Sequence, residues 1–125
     1  MIAMITQEFA GQFAQDWIES WNAHDLERIL EHYSDDFEMS STLIVTLMSI
    51  PSGSLKGKDK IRAYWQKGLE RRPALKFRLL KITFGVDTIA IHGDAETGRN
   101  FVEWFFFDDK HKIVKSLAHH DEIMI

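Results

Sequence analysis

The sequence predicts an α+β domain in which N-terminal helices pack on a strongly curved, mostly antiparallel sheet, forming a cone around an apolar pocket. Three observations carry this expectation. Aromatic residues recur every four positions in the first 22 residues, the spacing of an amphipathic helix. Four runs rich in β-branched and aromatic residues, separated by short turns, fill residues 75–120, as in an antiparallel meander. One further helical pattern lies between the two regions. Helices grouped before a run of strands must cover one face of the sheet they precede. At 125 residues the chain has the length of one domain. No repeat, low-complexity tract or linker divides residues 1–125.

Residues 6–22 are predicted as the first helix, with Phe9, Phe13, Trp17 and Trp21 on one face and Ala10, Ala14 and Ile18 beside them. Thr6 can cap it, and Glu8 lies in the first turn, where the helix dipole favours an acid. Asn22-Ala23-His24 breaks the pattern. Asp25 then caps a short second helix carrying Leu26, Ile29, Leu30 and Tyr33, which ends at Ser34-Asp35-Asp36. Phe37 to Ile50 reads as extended, and Pro51-Ser52-Gly53-Ser54 as a turn or loop. A third helix runs from about Lys58 to Arg71 on Ile61, Trp65 and Leu69, and Pro73 stops it. The four strands expected after it are Leu75 to Phe84, Thr88 to His92, Arg99 to Phe107 and Ile113 to His120. The turns between them are Gly85-Val86-Asp87, Gly93 to Gly98 and Asp108-Asp109-Lys110.

Composition narrows the chemistry. The chain is 45% hydrophobic and 27% charged, as a globular domain with its own core should be. It contains no cysteine, which removes thiol catalysis, cysteine–zinc sites and disulfides together and fits a reducing compartment. The net charge is −4 and no basic block stands out, so neither nucleic acid nor an anionic membrane is an expected partner. No run approaches the roughly 20 apolar residues of a membrane helix, and no signal peptide is expected. A soluble cytoplasmic protein is the default. Nine Phe and four Trp either fill a core or wall a cavity for a flat apolar ligand.

The strand Arg99 to Phe107 is the most informative element. Alternation places Arg99, Phe101, Glu103, Phe105 and Phe107 on one face and Asn100, Val102, Trp104 and Phe106 on the other. Both faces are apolar, so one is expected under the helices and the other against a partner or solvent. Glu103 lies between two phenylalanines. Burial there raises a carboxyl pKa and makes it a hydrogen-bond donor or an acid–base group near neutral pH. The rival reading is a carboxylate paired with Arg99, or one exposed at an edge. His119 and His120 close the last strand and point opposite ways, which argues against a metal site made by the pair. Either one beside Glu103 would form an acid–base couple, and Asp121 could orient or replace it. Glu38, Ser40, Ser41 and Thr42 form a polar patch whose hydroxyls can meet a ligand carbonyl or simply water. No Ser sits in a G-x-S-x-G elbow. Gly57-Lys58 is followed by Asp59 rather than the Ser or Thr of a phosphate loop, and no G-x-G-x-x-G occurs. No metal or organic cofactor is expected.

The stretches W-I-E-S-W-N-A-H-D-L at 17–26, H-Y-S-D-D-F-E-M-S-S at 32–41, L-K-G-K-D-K-I-R-A-Y-W at 55–65, V-E-W-F-F-F at 102–107 and K-I-V-K-S-L-A-H-H at 112–120 resemble the SnoaL-like branch of the NTF2-like superfamily. The resemblance spans nearly the whole chain. It implies the NTF2-like (cystatin-like) cone and a small-molecule pocket, and it implies homodimers packed through the outer sheet face. The superfamily includes steroid isomerases, polyketide cyclases, epoxide hydrolases, dehydratases, transport factors and uncharacterised pocket proteins. Against the steroid isomerases, Ser41 falls where their general-base aspartate stands. Trp17 matches their oxyanion-hole tyrosine, and Glu103 matches their protonated acid. The polyketide cyclases imply acid–base residues near the end of the last strand, where His119, His120 and Asp121 lie. The Asp–Arg–Asp arrangement of the epoxide hydrolases cannot be assembled here.

Three functions follow as expectations. The first is a cofactor-independent isomerase, cyclase or dehydratase acting on an apolar carbonyl compound. Glu103 and one of His119 or His120 would move the proton, Ser41 and Tyr33 would position the carbonyl, and Trp17, Trp21, Trp65, Phe101 and Phe105 would wall the pocket. The second is non-catalytic binding of a small apolar molecule. The third is a structural dimerisation or interaction domain.

Overall fold

In a computed structural model, residues 4–121 are described. The elements are α1 (Gln7–Asn22), α2 (Leu26–Leu30), β1 (Tyr33–Ser40), α3 (Thr42–Met48), β2 (Ser54–Lys56), α4 (Lys58–Arg71), β3 (Phe77–Phe84), β4 (Thr88–Ala95), β5 (Asn100–Phe107) and β6 (Ile113–His120). Thr6 accepts a hydrogen bond from the Phe9 amide and caps α1, which buries Phe13, Trp17, Ile18 and Trp21. Asp25 caps α2 through the Arg28 amide. The turn between them carries His24 at φ 55° and is tied to the start of β3. The Asn22 side chain donates to the Phe77 carbonyl at 2.9 Å and accepts from the Phe77 amide at 2.7 Å. His24 Nε2 meets the Leu75 carbonyl at 2.9 Å. These contacts hold the C-terminal end of α1 over the sheet.

Several expectations need correction. Tyr33 is not the last apolar residue of the second helix but the first residue of β1, and Ser34-Asp35-Asp36 lies inside that strand. Tyr33 and Phe37 are both buried, and the pairing of β1 with β6 shifts register between Tyr33 and Glu38. The run Phe37 to Ile50 is not one strand. The Ser41 hydroxyl accepts from the Leu43 amide at 3.1 Å and starts α3, which ends at Ser49 with φ 57°. A local cap outweighs the β preference of Ile44 and Val45. Ser54 belongs to a short strand rather than a turn. β4 continues through Gly93, where a turn was expected. A Cβ at Gly93 would stand 2.7 Å from both the Arg78 carbonyl oxygen and the Phe101 ring, so only glycine fits at that point of the strand.

The sheet order is β2-β1-β6-β5-β4-β3. β3 to β6 form the expected meander, and β1 joins it parallel to β6. Register divides the sheet into two faces. Phe101, Glu103, Phe105, Ile89, Ile91, Ser116, Phe37 and Met39 face the helices and are buried. Val102, Trp104, Phe106, Leu117 and His119 lie on the outer face, where Trp104 is 37% exposed.

Candidate functional site

The site begins with Glu103. β5 lies between β4 and β6, so this carboxyl is inside the sheet and not at an edge. The residue is 7% exposed, and burial pushes its pKa up to about 8. At neutral pH it therefore holds its proton and can donate a hydrogen bond. The expected alternative, an ion pair with Arg99, does not form. Arg99 is exposed just before the first residue of β5, and no ion pair joins the two among the described residues.

Two phenols share this interior. Tyr33 is 1% exposed, and its hydroxyl accepts a hydrogen bond of 3.1 Å from Trp17 Nε1. Burial, reinforced by the nearby Glu103 carboxyl, holds its phenol far above the usual range. Tyr64 on α4 is pushed to about 12, first by burial and further by Glu103, against a hydrogen bond from Ser41. Tyr64 escaped sequence reasoning. Its signal was present, because it stands three residues after Ile61 on the helix face that also carries Trp65. Ser41, itself 6% exposed, closes the group. Its hydroxyl lies 3.4 Å from His120 Nε2.

The two terminal histidines separate as strand alternation requires. His120 pairs across from Phe101 on the inner face, and His119 across from Val102 on the outer face. The His120 residue is exposed as a whole, but one ring edge reaches the interior at Ser41. Burial lowers its pKa, and the fields of Arg72, His119 and Arg99 reinforce this against Asp121. The imidazole is neutral at pH 7 and available as a base. His119 accepts a hydrogen bond of 3.4 Å from Trp104 Nε1 on the outer face, apart from Glu103. Glu38 is also on that face, beside Lys115. Asp121 is held by its amide to the Asn100 carbonyl at 3.0 Å, close enough to His120 to oppose the other charges. The structure thus brings Glu103, Tyr33, Tyr64, Ser41, Trp17 and His120 together and leaves His119 and Glu38 outside. Among the described residues no group of three or more His, Asp or Glu is placed to hold a metal ion.

The aromatic residues expected as pocket walls pack ring against ring. Trp17 meets Phe105 at 5.3 Å and Phe101 at 6.2 Å, and Trp21 meets Trp65 at 5.1 Å. Trp65 in turn meets Tyr33 at 5.3 Å. Two open grooves of about 660 Å³ each lie elsewhere, one between α1 and β3 and one between α2 and α4. Neither contains Glu103. Chemically, the interior offers neutral O–H donors from Glu103, Tyr33 and Tyr64 in apolar surroundings, with a neutral imidazole at its rim. Such donors favour a carbonyl oxygen and bind it more strongly as negative charge develops on it.

The sequence profile of the SnoaL-like domain matches residues 14–119. The chain belongs to the SnoaL-like family. A SnoaL-like protein of unknown function from Burkholderia thailandensis E264 is 47% identical and superposes with a TM-score of 0.91, covering 95% of this chain and 99% of that one. AclR from Streptomyces galilaeus, a candidate hydroxylase, is 19% identical with a TM-score of 0.71, over 93% of this chain and 77% of that one. An NTF2-like protein of unknown function from Cytophaga hutchinsonii ATCC 33406 is 13% identical with a TM-score of 0.68, over 94% and 95%. The latter two share the fold, the α+β cone of helices on a curved, unclosed sheet. No curated protein matches. Among the described residues of this SnoaL-like domain, no helix is long and apolar enough to cross a membrane.

Proposed function

We propose that this SnoaL-like protein is a cofactor-independent acid–base enzyme of the cytoplasm that acts on an apolar carbonyl compound. The observation that carries the reading is the neutral carboxyl of Glu103, buried beside two phenols with a neutral imidazole nearby. The substrate oxygen takes hydrogen bonds from Glu103 and the phenols. His120 Nε2 removes a proton from the carbon next to the carbonyl, the electron pair moves onto oxygen, and the proton returns to a different carbon. His120 and Glu103 stand on one face in diagonal register, Phe101 pairing with His120 and Glu103 with Ala118. The diagonal spacing of such a pair is about 7–8 Å. The cysteine-free sequence supports the cytoplasm.

The test is deuterium uptake from solvent into 2-tetralone, a ketone with activated α-hydrogens, followed by proton NMR. Wild type should accelerate exchange well above buffer. His120→Ala should lose at least tenfold of that rate, in line with the usual contribution of a general base. Tight binding of 2-naphthol without any exchange would instead establish the second reading, non-catalytic binding of an apolar ligand.

The outer face supports a homodimer. Val102, Trp104, Phe106 and Leu117 make it apolar, and Glu38 beside Lys115 gives it both signs of charge. A second copy related by a two-fold axis would find the same pattern facing it. Sedimentation equilibrium should show a dimer for wild type and a monomer for Trp104→Glu. A monomeric wild type at micromolar concentration rejects this assembly.

A further inference from the structure

The inner face runs from cations at the rim to neutral donors at the floor. On β5, alternation puts Phe101 and Glu103 in one line, and Arg99 stands just before the strand, its carbonyl accepting from the Ala95 amide at 2.9 Å. On β6, His120 stands opposite Phe101 and Ala118 opposite Glu103. On α4 and its C-cap, Tyr64, Gly68 and Arg72 follow at four-residue steps along one face. The rim therefore holds Arg72, Arg99 and His120, and the floor holds Tyr64 and Glu103. The positions between are small. A Cβ added at Gly68 would meet nothing within 4 Å. Ala118 remains partly exposed although Glu103 beside it is buried.

The rim and the floor differ in what they attract. Arg72 is held by Glu96 through bonds of 3.2 and 2.7 Å, whereas Arg99 is exposed and makes no ion pair among the described residues. A ligand without charge uses only the floor. A small anion gains nothing from the apolar middle. Arg99 stands four positions before Glu103, roughly 13 Å along an extended chain at the usual rise. We propose that the site takes amphipathic monoanions: a flat apolar body with a carbonyl or hydroxyl oxygen at the floor and a carboxylate held by Arg99 at the rim. This substrate class rests on the reading of Glu103 and the phenols as the oxygen-binding floor.

The test compares 2-naphthol with 6-hydroxy-2-naphthoate by fluorescence titration. The two share the ring system and the hydroxyl, and only the second carries a carboxylate. Wild type should bind the naphthoate about tenfold more tightly, with the ratio falling as salt is raised. In Arg99→Gln the ratio should fall to about one, in Arg99→Lys most of it should persist, and in Arg78→Gln, which removes a charge paired with Asp94 elsewhere on the sheet, it should be unchanged. A ratio near one in wild type, or one that survives in Arg99→Gln, overturns the substrate class and leaves the floor intact. Failure of folded wild type to bind either probe removes the floor reading, and this proposal with it.

Discussion

Glu103→Gln is expected to raise the stability of the fold by roughly 3 kcal/mol at pH 7. In the unfolded chain this carboxyl titrates near 4.5, and in the fold near 8. Below pH 4.5 both states hold the proton and the fold bears no cost. Between 4.5 and 8 the unfolded chain releases the proton while the fold keeps it, so each pH unit lowers stability by about 1.4 kcal/mol. Above pH 8 both states are ionised and the cost levels off at roughly 4 to 5 kcal/mol. Glutamine keeps the shape without the titrating proton.

Urea unfolding at pH 5, 7 and 9 therefore should show a gap between the two proteins that widens by about 3 to 4 kcal/mol across the series. His120 works in the opposite sense. Its lowered pKa gives stability above pH 6.5 that is lost as pH falls, but both proteins carry it and it cancels in the difference. A wild type that is the more stable protein at pH 9 would mean that Glu103 is ionised and paired, and His120 would then face no neutral acid. The destabilisation is what a functional carboxyl held in an apolar site should show. Once ionised, Glu103 adds to the burial that already raises both Tyr33 and Tyr64.

The position of Glu103 was legible because strand alternation is a strict rule and β5 obeys it throughout. The same rule separated His119 from His120, although it could not say which one faced inward. That depended on the register of β6 against β5, a long-range property. Tyr33 was placed on a helix because its spacing from Ile29 and Leu30 fits one. The short α2 ends first, and pairing with Ile113 on β6 fixes Tyr33 in β1. In sequence Ser41 resembles a strand residue because Ile44, Val45 and Thr46 favour strands, yet its own hydroxyl caps α3. Tyr64 adjoins the larger Trp65, whose four-residue spacing from Ile61 dominates the apolar pattern of α4. Glu38 looked like part of the polar patch with Ser41, but odd spacing between them sends the two to opposite faces. The local pattern thus revealed the acid, while the donors around it were set by tertiary pairing.

Phe105→Ala is expected to destabilise the fold by about 3 to 5 kcal/mol, which separates core from ligand wall among the aromatic residues. Phe105 is fully buried. Its ring meets Phe13 edge-on at 4.9 Å and Trp17 at 5.3 Å, and its strand partners are Ile89 and Ser116, both without exposed surface. These neighbours belong to α1, β4 and β6, so the void cannot close without moving three elements. Phe101, two steps nearer the rim and 9% exposed, lies over Gly93 and across from His120. Truncation there should cost the fold less and weaken 2-naphthol binding more, because Phe101 lies between Arg99 and Glu103 in sequence and is the more exposed ring. Denaturation midpoints and naphthol titrations of both alanine variants decide the matter. A loss below about 2 kcal/mol for Phe105→Ala would place that ring against empty space and extend the ligand site one full step deeper than Glu103.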